Sequence, residues 1–385
     1  MSVHPSALRR RHRLVAALLF VVLGAHVGAW SVQLAALAIA LRLQPGPLGV
    51  AVSAGAAGGI LTLLVGGRIA DRVPRRAVLL TGLLGAGTAF ALLSTTHELT
   101  STVAVVLLYG LAISGVDLGS NLVGTDFEHA HDAVALTGLQ SGFSAGAVLG
   151  AFGATAALAA GVDYRVVYLG MAALFGGAAI MVGVAQLPPR EQTAAHECAG
   201  GGPLLRVSGV LLAAVVVTVC FFGDGALEGF LAVFLRRDVD TGVLIAGLGV
   251  AGFHVASFAG RLLADRVLQR VATGRVISAA GVLAAVGILT ALGSQAAWLS
   301  LTGLLVTGFA ISPIVPSGLS LAARSAPDRP GRAVATVTAV GSSSFLVSPL
   351  VVGGIANATD LRVGLAVVAL TSIVIAVLGT RWPGR

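Results

Sequence analysis

The chain has 385 residues, 56% of them hydrophobic and 10% charged, and its 24 basic residues, all arginine, outnumber 16 acids for a net charge of +8. No soluble domain hides that much apolar surface, so a water-soluble enzyme and a nucleic-acid-binding protein are both excluded. The basic excess is read instead as a signal of membrane topology.

Stretches of roughly 18 to 28 residues with few or no charges recur along the chain, each long enough to cross a ~30 Å hydrocarbon layer as a helix. Twelve are predicted, over 14–41, 48–66, 77–96, 101–124, 133–160, 166–187, 207–235, 241–260, 273–293, 297–321, 333–356 and 362–380, which makes the protein all-α and multi-pass. With both termini in the cytoplasm, 19 arginines fall on the inner side. Only Arg42, Arg165, Arg236, Arg237 and Arg362 fall outside, as the positive-inside rule requires.

Arg9 to Arg13 precede span 1 in the manner of a signal peptide. The apolar run continues through Trp30 to Leu41, and removing it would leave eleven spans and an unmatched half, so a retained helix is expected. His26, Trp30 and Gln33 share one stripe of this span and are candidates for lining a substrate cavity.

Between spans 2 and 3 lies the acidic turn Gly67-Arg68-Ile69-Ala70-Asp71-Arg72-Val73-Pro74-Arg75-Arg76. A near copy, Arg261-Leu262-Leu263-Ala264-Asp265-Arg266-Val267, follows 194 residues later at the same place in the second half. The chain therefore reads as a duplication of six spans. The first bundle is expected over 1–187, a cytoplasmic linker over 188–206 and the second bundle over 207–385.

Polar groups stranded in apolar spans are costly at mid-bilayer, by about 3 kcal/mol or more for a charge, and must face protein or water. Span 4 carries Asp117 and Asn121 one turn apart, with Glu128 on a similar face. Span 7 repeats the spacing with Asp224 and Glu228, and span 8 adds His254. A protonated carboxyl held by a backbone carbonyl would be merely structural, and that reading stands beside a role in solute binding or ion coupling.

Several short patterns do not carry the chemistry they spell. Gly142-Phe143-Ser144-Ala145-Gly146 matches a nucleophile elbow, but it sits inside span 5, where a strand-to-helix turn cannot form. Gly247, Gly249 and Gly252 match a dinucleotide fingerprint within an apolar helix, and small-residue helix packing explains them better. His196 and Cys198 are too few for a metal site, Cys198 and Cys220 make no disulfide framework, and a chain without lysine has no phosphate-binding loop for ATP. No enzyme activity, cofactor or metal is expected.

Residues 67–76 resemble the loop signature of the major facilitator superfamily, Gly-x-Leu-(Ala/Gly)-Asp-Arg-x-Gly-Arg-Arg, with Pro74 where the family has Gly. The second copy keeps the pattern only to Arg266. The resemblance covers all twelve spans and implies two six-helix bundles that rock about a central solute. It also implies a cytoplasmic gate formed by Asp71, Arg72, Arg75 and Arg76, with Asp265 and Arg266 in the second half. A finer likeness is to the fucose-permease-like sugar transporter branch, in Gly115 to Asn121 with Glu128, in Gln140 to Gly146, in Asp224 to Leu235, and in Gly308 to Pro316 with Gly341 to Pro349. Gly229-Phe230 stands where that branch has Asp-Trp.

The expected protein is a secondary transporter of the cytoplasmic membrane, a monomer whose partners are a small organic solute, protons and lipid. A carboxyl shielded from water can load and release a proton as its access alternates, so Asp117, Asp224 and Glu228 are the coupling candidates. Proton-coupled import of a sugar-like solute is favoured. Proton-driven efflux of drugs or metabolites stays open, because Gly146 to Gly153 approaches the Gly-Pro pattern of drug antiporters with Ala151 in place of the proline. A non-transporting sensor on the same fold is the third class, and measurable flux excludes it.

Overall fold

In hydrocarbon every backbone N–H and C=O must be satisfied within its own segment, and this chain meets the demand with helices. The computed structural model describes residues 5–70, 72–131, 136–190 and 204–383, leaving aside the side chains of 5–7, 66–70, 136–138, 140, 141 and 265, and contains no strand among them. Among the described residues, twelve candidate spans are built from fourteen α-helices. The first nine are α1 Pro5–Ala40, α2 Pro45–Ala70, α3 Arg75–Leu93, α4 Leu99–His131, α5 Leu136–Ala159, α6 Tyr164–Val184, α7 Ser208–Arg237, α8 Val243–Leu268 and α9 Thr273–Gly293. Span 10 is the pair α10 Ala297–Ile311 and α11 Ile314–Ser325, span 11 the pair α12 Pro330–Ser342 and α13 Ser344–Ala358, and α14 covers Leu361–Thr380.

The two broken spans correct the expectation of continuous helices. Pro313 has no N–H to give to the carbonyl of Phe309 one turn back, and that carbonyl instead accepts the hydroxyl of Ser312 at 2.8 Å. Span 11 breaks at Ser343, within the run Gly341 to Ser344 and ahead of Pro349 inside α13. There Ser344 and Ser348, one turn apart, donate to the carbonyls of Thr218 and Phe222 at 2.8 and 2.6 Å, which fastens α13 to α7.

The chain divides into unit 1, Met1–Leu41 with Ala54–Glu197, and unit 2, Arg42–Ser53 with Cys198–Arg385. The start of α2, expected in the first bundle, thus groups with unit 2. Glycine is the reason: a Cβ on Gly49 would strike the carbonyl of Pro349 and lie 3.3 Å from the Cα of Gly353, so the two backbones touch. Arg237 adds a hydrogen bond to the carbonyl of Leu43 at 2.7 Å. Residues 191–203 of the expected linker, with His196 and Cys198, lie outside the described residues.

Within unit 1, α1 and α5 pack through glycine. Added Cβ atoms on Gly24 and Gly28 would run into the carbonyls of Phe143 and Ala147, and those on Gly146 and Gly150 into the carbonyls of Val21 and Ala25. Gly142, Gly146 and Gly150 thus form one face used for close approach, tightest at Gly146 and Gly150. In unit 2, α8 turns Gly249 and Gly252 towards Leu301 and Leu305 of α10, the small-residue packing expected there. The core of this unit joins Val210, Ala213 and Val217 of α7 to Ile277, Ile314, Val337 and Ile375.

Each unit closes one end with the same device. Asp163 and Asp360 cap α6 and α14 by accepting from the backbone N–H of Arg165 and Val363. Two residues after each cap an arginine reaches the loop between that unit's third and fourth spans: Arg165 meets His97 at 3.3 Å, while Arg362 donates to the carbonyls of Leu292 and Ser294. Arg362 also donates to the carbonyl of Asp238 at 2.8 Å. Burial pushes the Asp238 carboxyl above its ordinary range, and the Arg362 guanidinium pulls it back down.

Candidate functional site

On α4 the polar face is preassembled. Asn121 donates its amide to both the carbonyl and the carboxylate oxygen of Asp117, each at 2.9 Å, as i, i+4 neighbours can. Asp117 is exposed although it lies near the middle of a 33-residue span. Glu128, eleven residues on, returns to the same side of the helix and is half-buried.

The α1 stripe is differently placed from the expected cavity lining. His26, Trp30 and Gln33 point into the packing of unit 1, at 4%, 9% and 0% exposure, because α3, α4 and α6 supply aromatic partners there. Nδ1 of His26 donates to the carbonyl of Leu23 at 2.9 Å, so in the neutral ring Nε2 is the acceptor and the Tyr109 hydroxyl donates to it. Trp30 stacks on Tyr109 with centroids 4.3 Å apart, and Phe90 packs edge-on against both rings. Gln33 donates to the carbonyl of Val167 at 3.2 Å, and its own oxygen is buried with no partner among the described residues.

Of the signature residues, Asp71 and the side chain of Asp265 lie outside the described residues, and Arg72 and Arg266 are exposed. Arg75 turns inward to Asp126, with Nε and Oδ2 3.0 Å apart and Asp126 only 3% exposed. Arg76 donates to the carbonyl of Ala185 at 2.6 Å, capping the end of α6. Together they fasten α3 to α4 and α6. Asp126 is absent from the sequence-derived candidates. Its signal was helical phase, since it follows Asp117 by nine residues and therefore points to the opposite side of α4, towards α3.

In unit 2, Asp224 and Glu228 are half-buried on one side of α7, beyond the Thr218 and Phe222 carbonyls that accept from Ser344 and Ser348. His254 is half-buried on α8, with its ring edge-on to Phe253. Arg261, seven residues further along the same stripe, is exposed. The sequence placed Arg261 in a cytoplasmic turn. It lies instead inside α8, two turns below His254. Among the described residues no group of three potential ligands could hold a metal ion.

Three kinds of similarity bear on this arrangement. An uncharacterized MFS-type transporter of Yersinia pestis is 25% identical over 363 residues, covering 93% of this chain and 92% of its own length. An uncharacterized transporter of Sinorhizobium fredii is 24% identical over 93% of this chain and 95% of its own. Among solved structures, a mutant of the nucleoside transporter NupG superposes with a TM-score of 0.83 over 97% of this chain and 99% of that one, at 13% identity. A bacterial homologue of the lysosomal transporter Spinster gives 0.75 over 99% and 97%, at 14% identity. These likenesses show the twelve-span fold. The family model described as Major Facilitator Superfamily matches residues 15–223 and 213–385. Twelve spans and a family match over nearly the whole length make this chain a membrane transporter that belongs to the major facilitator superfamily.

Proposed function

We propose that the protein carries a small, hydroxyl-rich organic solute across the cytoplasmic membrane by alternating access, coupled to protons through its membrane carboxyls. Asp117 carries this reading. A carboxylate exposed halfway along an apolar helix cannot face lipid at an acceptable cost, so its side of α4 borders water or solute. With the Asn121 amide turned to Asp117, the side-chain oxygens of the pair offer acceptors for hydroxyl groups, which suits a sugar-like solute of the kind the fucose-permease-like likeness suggests. Asp224, Glu228 and His254 supply the exchangeable protons of unit 2. Asp71, Arg72, Asp265 and Arg266 form the cytoplasmic gate, while Arg75 and Arg76 hold α3 behind it.

The test is transport in proteoliposomes after a solute panel has identified a bound compound. Asp117→Asn, Asp224→Asn and Glu228→Gln are compared for accumulation driven by an imposed proton gradient and for exchange at equal solute concentration. The coupling carboxyl is the one whose amide loses accumulation but keeps exchange, because exchange moves no net proton. Asp71→Asn slows both modes while solute still binds. Full proton-dependent accumulation in all three carboxyl variants removes the mechanism. Efflux by antiport is the second reading, favoured by the Gly146 to Gly153 run of α5, and reversing the gradient separates the two.

A further inference from the structure

At one end of unit 2 a cavity of about 870 Å³ lies between the start of α9, the end of α11 and the chain just after α14. Thr273, Ser325 and Thr380, which line it, are each the terminal residue of a candidate span, so the cavity sits where hydrocarbon gives way to headgroups. It is also the arginine-rich end that charge distribution assigns to the cytoplasm.

Among the described residues the lining holds two arginines and no acid. Arg275 and Arg324 are both exposed there, and neither has a carboxylate within 4 Å among the described residues. Arg275 occupies the first turn of α9, the positive end of the helix dipole, and this turn has no acidic residue and no side-chain cap on Ala272. Basic charge at an uncapped N-terminus is unfavourable alone and favourable once an anion joins it. Trp382 also lines the cavity, at 8% exposure, and among the described residues its indole N–H has no acceptor. Gly274 holds that geometry, since a Cβ there would stand 2.6 Å from the carbonyl of Gly379 and 2.8 Å from the Cβ of Trp382. Leu321, also in the lining, offers apolar surface beside the two cations.

We infer that this cavity binds the phosphate of an anionic phospholipid, held by Arg275, Arg324 and the start of α9, with Trp382 at the headgroup level. The site is separate from the polar residues of α4, α7 and α8 and does not depend on the transported solute. Detergent-purified protein titrated with short-chain phosphatidylglycerol should bind it in preference to phosphatidylcholine, with a change in tryptophan fluorescence that Trp382→Phe abolishes. The double variant Arg275→Gln/Arg324→Gln, altered only at exposed positions, should bind it roughly tenfold more weakly or worse. Arg13→Gln, which changes net charge elsewhere, should bind it as the parent does. Equal binding of the two lipids, or unchanged binding by the double variant, overturns the site. An equal response to glycerol 3-phosphate overturns the lipid assignment.

Discussion

The buried imidazole of His26 shows how one side chain commits its neighbours. Its Nδ1 is spent on the Leu23 carbonyl, so Nε2 needs a donor, and Tyr109 is the residue that supplies one. Tyr109→Phe leaves that acceptor dry inside an aromatic cluster, and thermal unfolding of the purified protein should show a loss of about 1–3 kcal/mol. Replacing both partners, as Tyr109→Phe/His26→Leu, should recover part of the loss, because an apolar pair has nothing left to satisfy. A double variant less stable than either single one contradicts this account. His26, Trp30 and Gln33 were legible as a polar stripe. Their burial was not, because helical phase tells which residues share a side and not which neighbour that side meets.

At the scale of helices, glycine position separates packing from mere composition. Gly150 and Gly153 lie one turn apart on α5. A Cβ on Gly150 would enter the backbone of α1 at Ala25, while one on Gly153 meets nothing within 4 Å. Gly150→Val should therefore abolish a monodisperse purified protein, and Gly153→Val should leave yield and melting temperature near those of the parent. Equal effects at the two positions would remove α1–α5 close approach as the reason for the glycines. The helix breaks belong to this scale as well. Pro313 is visible in the sequence as a helix breaker, yet the place of the break depends on Ser312 rescuing the Phe309 carbonyl.

For the whole molecule, charge distribution fixes an expected orientation. Reporter fusions after Arg13, within 190–205 and after Arg381 should all read cytoplasmic, given 19 arginines on one side against 5 on the other. An external signal from any of them contradicts the orientation. The paired pins at Arg165 and Arg362 extend the duplication beyond the acidic turns, since each follows its capping aspartate by two residues and reaches the equivalent loop of its own unit.

Membrane residence, twelve spans and the internal repeat follow from the sequence by itself, because apolar length and the period of the acidic turn are local, additive properties of the chain. The pairing of Asp117 with Asn121 belongs with them, being set by one helical turn. Only the tertiary structure decided that Arg75 meets Asp126 and that α2 begins among the helices of unit 2. Each of those depends on which helix lies next to which, and that is chosen by glycine-lined close approaches and broken helices whose partners stand tens to hundreds of residues away in the chain.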